Sequence, residues 1–293
     1  MSLLIIGSTV ADVIVNVPHL PRTGEDVHVI SQQMSLGGCA YNVFHTARLL
    51  GAEAMLFSPI GSGLYGDFVF NELKGQGIAS PIPRLQALNG CCYCLVDGEG
   101  ERTFLCHRGA EYHFKKEWLD ALDVSGMDGV YLCGLEAEEA DNQTLIDFLR
   151  ESRLPFWFAP GPRITVIPPQ RMASILSLRP RLHLNRQEAL AFTGASDAAS
   201  AAQALHRFTG NDVVITLGPE GALCLHGGEE QLIRGQAVQV VDTIGAGDSH
   251  LGAIMAGMAK GLSLFEASAL ANRVSALVVA QSGACLASLP EGF

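Results

Sequence analysis

The run VDTIGAGDSH, positions 241 to 250, sets a carboxylate, Asp248, directly behind a Gly-Ala-Gly stretch and ahead of LGAIMAGMAKG, an apolar segment with the composition of a buried helix. Gly245 and Gly247 leave the backbone free to approach a ligand closely. A helix start presents N–H groups with no intrahelical acceptor, and its dipole favours negative charge there. Such donors would hold a phosphate. Asp248 would then stand beside it, where a base can take the proton of an attacking alcohol. The same carboxylate is expected to cap the helix. The plainer alternative is a cap after a glycine-rich turn and nothing more.

The rest of the chain favours small-molecule chemistry. It has 293 residues, 48% hydrophobic and 17% charged, enough for a sizeable core in one large α/β domain or two smaller ones. The net charge of −11, from 19 Lys and Arg against 30 Asp and Glu, argues against nucleic-acid or anionic-membrane partners. Eight cysteines occur without paired CxxC units at zinc spacing, so CCYC (91–94) reads as strand cysteines rather than a metal site. Reduced thiols suggest the cytoplasm. MSLLIIGSTVADVIV, without a basic leader or cleavage site, reads as a first strand. No apolar run approaches the ~20 residues of a membrane span.

Positioning the site falls to alternating elements. LLIIGS (3–8), AEAMLFSPIG (52–61), GVYLCG (129–134), PFWFAP (155–160), RLHLN (181–185) and DVVITLG (212–218) read as strands separated by helical stretches. GCAYNVFHTARLLG (38–51) is one such helix, with Gly51 as its stop. The fold class is therefore α/β, a mostly parallel central sheet flanked by helices, with ligands at the carboxyl ends of the strands. EDVHVISQQMSL (25–36) and CCYCLVDGEGERTFLCHR (91–108) are β-rich with no helix between, and DGEG signals a hairpin. They are expected to form a small projecting β-sheet, serving as a lid or a dimer surface.

DTIGAGD (242–248) resembles the DTxGAGD signature of the ribokinase-like, or PfkB, family of carbohydrate and nucleoside kinases. GGCAYN (37–42), NRQE (185–188) and TLGPEGA (216–222) are similar to three further elements of that family, in the same order. The resemblance spans nearly the whole chain. It implies a single ribokinase-like kinase domain over 1–293, with lid segments near 13–36 and 90–108. It implies ATP-dependent phosphorylation of a primary hydroxyl on a sugar or ribonucleoside, pseudouridine included. Asp248 would be the catalytic base, and the backbone of Gly245, Ala246 and Gly247 the anion hole. Asp12, Gly38 and Asn42 would hold the acceptor hydroxyls, with Glu136 as a further acceptor-side residue. Arg108, at the end of the lid segment, is a separate candidate for substrate contact, the plainer alternative being a solvated face. Thr216, Gly218, Gly221 and Asn272 would line the nucleotide cleft. Glu188, with Asn185, would order the water shell of Mg2+; the local alternative is an exposed helix start capped by Asn185. Some relatives bind K+ near the anion hole, through residues matching Asp242 and the QSGA turn (281–284). Ala159, in FAPGPR, stands where many relatives carry aspartate, which leaves Arg163 as the phosphate-side candidate there. The projecting sheet would be the surface of a homodimer.

Two other readings compete. GDSH (247–250) faintly resembles the GDS element of serine hydrolases, but adjacent Ser249 and His250 on a helix point apart. GSTVAD lacks the GxGxxG of a dinucleotide enzyme. A catalytically silent sugar- or nucleoside-binding relative is the non-enzyme reading, against which Asp248 and Glu188 both speak. A nucleoside acceptor would need a stacking wall, for which Tyr41, Phe44 and Phe104 are the candidates.

Overall fold

The continuously apolar segments become strands whose residues alternate between two cores. The computed structural model describes residues 2–293. Twelve strands form among them: β1 (Ser2–Ile6), β2 (Val10–Asn16), β3 (Ser31–Gly37), β4 (Glu53–Phe57), β5 (Cys91–Val96), β6 (Arg102–His107), β7 (Met127–Cys133), β8 (Phe156–Ala159), β9 (Arg181–Asn185), β10 (Val213–Thr216), β11 (Gly221–His226) and β12 (Glu229–Arg234). Eight of them make one sheet, ordered β12-β11-β10-β9-β8-β7-β1-β4, parallel except for the β10-β11-β12 edge. Leu3, Ile5, Tyr131, Trp157 and Val214 point into one core, and Leu4, Ile6, Val130, Phe158 and Ile215 into the other. Burial on both faces is why these strands show no polar alternation.

The helices are α1 (Cys39–Leu49), α2 (Gly63–Gly75), α3 (Lys116–Asp120), α4 (Gly134–Glu138), α5 (Gln143–Ser152), α6 (Pro169–Ser177), α7 (Arg186–Thr193), α8 (Ala198–Thr209), α9 (Ala246–Ala259) and α10 (Leu264–Val279). α1, α9 and α10 cover the first core, and α5, α6 and α8 the second. Among the described residues no helix is long and apolar enough to cross a membrane.

The remaining four strands form a second sheet, ordered β3-β2-β5-β6, with β2 and β5 parallel and both outer pairs antiparallel. Two details depart from the sequence reading. LLIIGSTVADVIV is not one strand: the chain leaves the large sheet after Ile6 and enters the small one at Val10. The break is pinned by Glu136, whose Oε1 accepts the Ser8 N–H at 2.8 Å. Nor is 25–36 wholly β. Ser31 pairs with Asn16, the last residue of β2, so residues 25–30 have no strand opposite them to complete a ladder. The DGEG hairpin forms, with the Asp97 carboxylate accepting the N–H groups of Glu99 and Glu101.

Candidate active site

The loop before α9 is built around one buried acid. Asp242 is 2% exposed. Its Oδ1 accepts the Ile244 N–H at 2.8 Å, and its Oδ2 accepts the Gly283 N–H at 2.7 Å and pairs with Arg102 Nη2 at 2.8 Å. The charge expected to attract potassium is thus met by a guanidinium from β6. Gly245 is the N-cap of α9, with φ of 70°, and a Cβ there would lie 2.6 Å from Ala284 Cβ. Glycine alone meets both conditions. Gly247 faces open space.

Asp248 is therefore not the cap. It is the third residue of α9, and its side chain makes no cap hydrogen bond. It points across to α1, where its Oδ2 accepts from Asn42 Nδ2 at 2.9 Å. The early helix amides are left for a ligand. Among the described residues, the N–H groups of Gly245, Gly247 and Asp248 have no protein acceptor, whereas Ala246 N–H reaches Thr243 O at 3.3 Å. These free donors include Asp248's own amide, which the family motif had not suggested, whereas the Ala246 amide is already engaged.

Asp12 lies on β2 and accepts no hydrogen bond from the described residues. Room for it comes from Gly37, where a Cβ would fall 1.8 Å from Asp12 Oδ2; Gly38 instead makes room for the Ser8 carbonyl, 2.5 Å from where its Cβ would lie. Burial raises the Asp12 carboxyl to about 7, with the charges of Cys106 and Asp248 adding to it. Burial likewise raises Asp248 to about 6, against the stabilising donors Asn42 and Cys39. Two carboxyls whose charged forms the surroundings penalise therefore share one recess.

Strand register shows which residues share a face with Asp12. Ser35, Asp12, Cys92 and Cys106 stand opposite one another across the small sheet and so share a face. Alternation puts Phe104 and Arg102 on that face too. Phe104 is half-exposed, whereas Tyr41 and Phe44 are buried in the core and cannot wall an acceptor. Glu136 is fully buried behind the β1–β2 break. Arg108 is engaged by Glu138 and Glu139, and Arg163 by Glu138, so both guanidiniums are already paired.

On the other side of the loop lies a cleft of about 450 Å³. Thr216, Gly218, Gly221, Ala246, Gly247 and Asn272 all line it. The sequence reading missed Val238, Val240, His250 and Ser275, which also line it. The signal for the valines was present: three apolar residues of QAVQVV, Val238, Val240 and Val241, are left exposed. Asn272 braces this wall. Its Nδ2 donates to Ile233 O at 2.9 Å and Arg234 O at 3.1 Å, which leaves Oδ1 to accept from His250 Nε2 at 3.1 Å. Burial holds His250 and His183 below the usual histidine range, so both are neutral. His250 Nδ1 must then accept from His183 Nε2, 3.0 Å away. This buried chain ties α9 and α10 to β9. Ser249, fully buried, donates to Ala284 O. Neither half of a Ser-His dyad is available, which removes the hydrolase reading.

Asn185 and Thr216 are register partners at the carboxyl ends of β9 and β10. Asn185 caps α7 in a reciprocal box with Glu188: its Oδ1 accepts the Glu188 N–H, and Glu188 accepts the Asn185 N–H at 2.9 Å. The capping reading of NRQE is thus correct structurally. The Glu188 carboxylate is partly buried there, and each of its oxygens, already accepting one bond from Asn185, keeps a lone pair for a further donor. Among the described residues no group of three or more acidic, His or Cys side chains converges on a metal position. The donor set suits a hard cation held chiefly by water and phosphate oxygens.

Residues 1–291 match the family described as pfkB family carbohydrate kinase. An uncharacterized sugar kinase of Escherichia coli, YegV, is 34% identical over 288 residues, covering 96% of this chain and 89% of that one. The ribokinase of Mus musculus is 30% identical over 294 residues, covering 96% and 90%. Among solved structures, the ribokinase of Thermotoga maritima superposes with a TM-score of 0.83 at 23% identity, covering 97% and 93% of the two chains. A Burkholderia thailandensis nucleoside kinase in complex with inosine gives 0.77 at 19%, covering 97% and 92%. At these identities the two structures establish likeness of fold.

Proposed function

Because the chain belongs to the pfkB family of carbohydrate kinases, and is thereby an ATP-dependent phosphotransferase with an alcohol acceptor, we propose that Asp248 is its catalytic base and that the acceptor is a primary hydroxyl of a sugar or ribonucleoside. The observation that carries this reading is the meeting of three things at the start of α9: a carboxylate 2.9 Å from Asn42, unpartnered amides at Gly245, Gly247 and Asp248, and an adjoining cleft of about 450 Å³.

The roles follow from the chemistry of each group. Asp12, having no protein donor, accepts hydrogen bonds from acceptor hydroxyls, and Asn42 both donates and accepts. Asp248, with its carboxyl near 6, is mostly ionised at neutral pH yet basic enough to take the hydroxyl proton as the oxygen attacks. The free amides receive the charge that gathers on the transferred phosphoryl group. The nucleotide lies in the cleft walled by Thr216, Gly218, Gly221, Val238 and Val240, a wall braced by Asn272. Magnesium, when bound with ATP, neutralises phosphate charge; Glu188 and Asn185 would order its water shell. The small sheet acts as the lid, and Arg102 fastens it to the anion-hole loop through Asp242. Excluding water there protects ATP from hydrolysis. Phe104, half-exposed on the same face of the small sheet as Asp12, supports stacking against a base or a sugar ring. Asp242, already holding a guanidinium, offers no unpaired charge for potassium. A second copy of the chain is the proposed cover for exposed Val29, Ile30 and Leu105 on and beside the lid, a dimer that solution scattering would detect.

The test is a screen of pentoses, hexoses and nucleosides, pseudouridine among them, with magnesium-ATP, read by ADP release and by the mass of the product. A phosphorylated primary hydroxyl is expected. Transfer to none of these classes, in protein that binds ATP, would overturn the reading.

A further inference from the structure

Two thiols stand in the acceptor recess that phosphoryl transfer does not use. Cys92 on β5 and Cys106 on β6 are direct antiparallel partners, and their sulfurs are 3.3 Å apart. Directly opposed residues of an antiparallel pair have Cα atoms about 4.5 or 5.5 Å apart, both inside the range a disulfide spans. Their side chains share a face, so the Cβ vectors already point the same way. Cys106 is exposed and Cys92 partly so. They occupy the same rung of the sheet as Asp12.

We propose that Cys92 and Cys106 form a peroxide-sensitive modification site, a dithiol in the acceptor recess that closes to a cross-strand disulfide. The two sulfurs have different parts. The hydrogen bond from the Cys92 thiol, followed by the charges of Arg108 and Arg163, holds the Cys106 thiol below its ordinary range, whereas donating that bond and burial push Cys92 up. Cys106 is therefore the thiolate and Cys92 the protonated partner. The Cys106 thiolate attacks one oxygen of a hydroperoxide; the O–O bond breaks, giving a sulfenic acid and hydroxide. The Cys92 sulfur then attacks the sulfenic sulfur, its proton leaves with the departing hydroxyl as water, and the S–S bond forms. Each sulfur gives up one electron, and the two together reduce the peroxide.

Closure brings the sulfurs from 3.3 Å to about 2.05 Å, so β5 and β6 tighten beside Asp12. The functional consequence rests on Asp12 holding the acceptor; the chemical modification does not. Intact protein treated with hydrogen peroxide is expected to become lighter by two hydrogens and to yield a linked Cys92–Cys106 peptide pair after digestion. Cys106→Ser should abolish the linkage. Cys92→Ala should leave a sulfenic acid on Cys106 that dimedone captures. A wild-type protein whose Cys106 passes to sulfinic acid without linkage, or whose Cys92 links to another cysteine, would overturn the site. With the phosphoryl acceptor found by the screen, linked protein should show KM for that acceptor raised about tenfold, with KM for ATP unchanged and recovery in dithiothreitol. Linked protein with an unaltered acceptor KM would overturn the coupling to Asp12. The linkage itself is read by mass and stands or falls without any turnover.

Discussion

Asp248→Asn keeps the shape of the side chain and its bond to Asn42 while removing the charge and the basicity. The Asp248 carboxyl is raised from 3.8 to about 6, chiefly by burial. With that value, about nine-tenths of the groups are ionised at pH 7 and about one-tenth at pH 5, so wild-type kcat should fall roughly tenfold between the two. The variant should lose about 10²–10⁴ in kcat, equivalent to about 3–5 kcal/mol of barrier, and its kcat should no longer titrate near pH 6. ATP binding should persist, because the unpartnered amides of Gly245 and Gly247 are untouched. Steady-state kinetics across pH, with nucleotide affinity measured by calorimetry, make the assay. A variant kcat within about threefold of wild type would refute the assignment.

The same substitution carries a stability signature of fixed sign. A carboxyl whose folded value lies above its unfolded one contributes stability that is complete below about 3.8 and lost as pH rises through about 6. At pH 8 wild type therefore holds an ionised group that the fold disfavours, by at most about 3 kcal/mol and less where water reaches it. Asp248→Asn should be the more stable protein at pH 8, by about 1–3 kcal/mol in urea unfolding, with the advantage gone by pH 4. Asp12 should respond as well: its carboxyl, at about 7, is raised partly by the charge of Asp248. In the variant, the pH midpoint for acceptor binding should move down. A variant less stable than wild type at pH 8 would mean that the recess does not penalise the charge.

Arg102→Met leaves the fully enclosed Asp242 carboxylate without its counterion while its two amide donors remain; a loss of about 3 kcal/mol is expected in urea unfolding, together with reduced kcat, and Arg102→Met/Asp242→Asn should recover part of the stability. Failure of the double variant to recover any would deny the pairing. Gly37→Ala would place a methyl 1.8 Å from Asp12 Oδ2, so the acceptor KM should rise at least about tenfold while KM for ATP holds; equal rises in both would show a general disturbance of the fold.

The parallel sheet was legible because its strands are buried on both faces, and such strands are continuous apolar runs. The small sheet was legible from DGEG, yet its first strand was not. LLIIGSTVADVIV carries one hydrophobic pattern across Gly7, and the break between β1 and β2 is held by long-range bonds, Gly7 N–H to Phe57 O and Ser8 N–H to Glu136 among them. The glycines of the 242–248 loop pointed to a helix start, but a one-residue rule could not say that Gly245, and not Asp248, would be the cap. The cleft wall at 235–240, proposed to face the nucleotide, was visible only as valines with nothing yet to cover. Arg102–Asp242 and His183–His250–Asn272 were invisible for a plainer reason: they join residues far apart in sequence, through pairings that exist only once the sheets are assembled.

The placement of that arginine carries a chemical logic. Three acids, Asp12, Asp242 and Asp248, lie around one loop, and the protein supplies a guanidinium to only one of them. A cation against Asp248 would stabilise its ionised form and lower its pKa, leaving a weaker base. A cation against Asp12 would compete with hydroxyl donors. At Asp242 the charge does neither harm, because that carboxylate accepts the Ile244 and Gly283 amides and has only to hold the loop in shape. Neutralising the structural acid while leaving the two that face the recess uncompensated keeps Asp248 basic and Asp12 open to a ligand. A substrate bearing several hydroxyls could then supply the donors that the protein withholds.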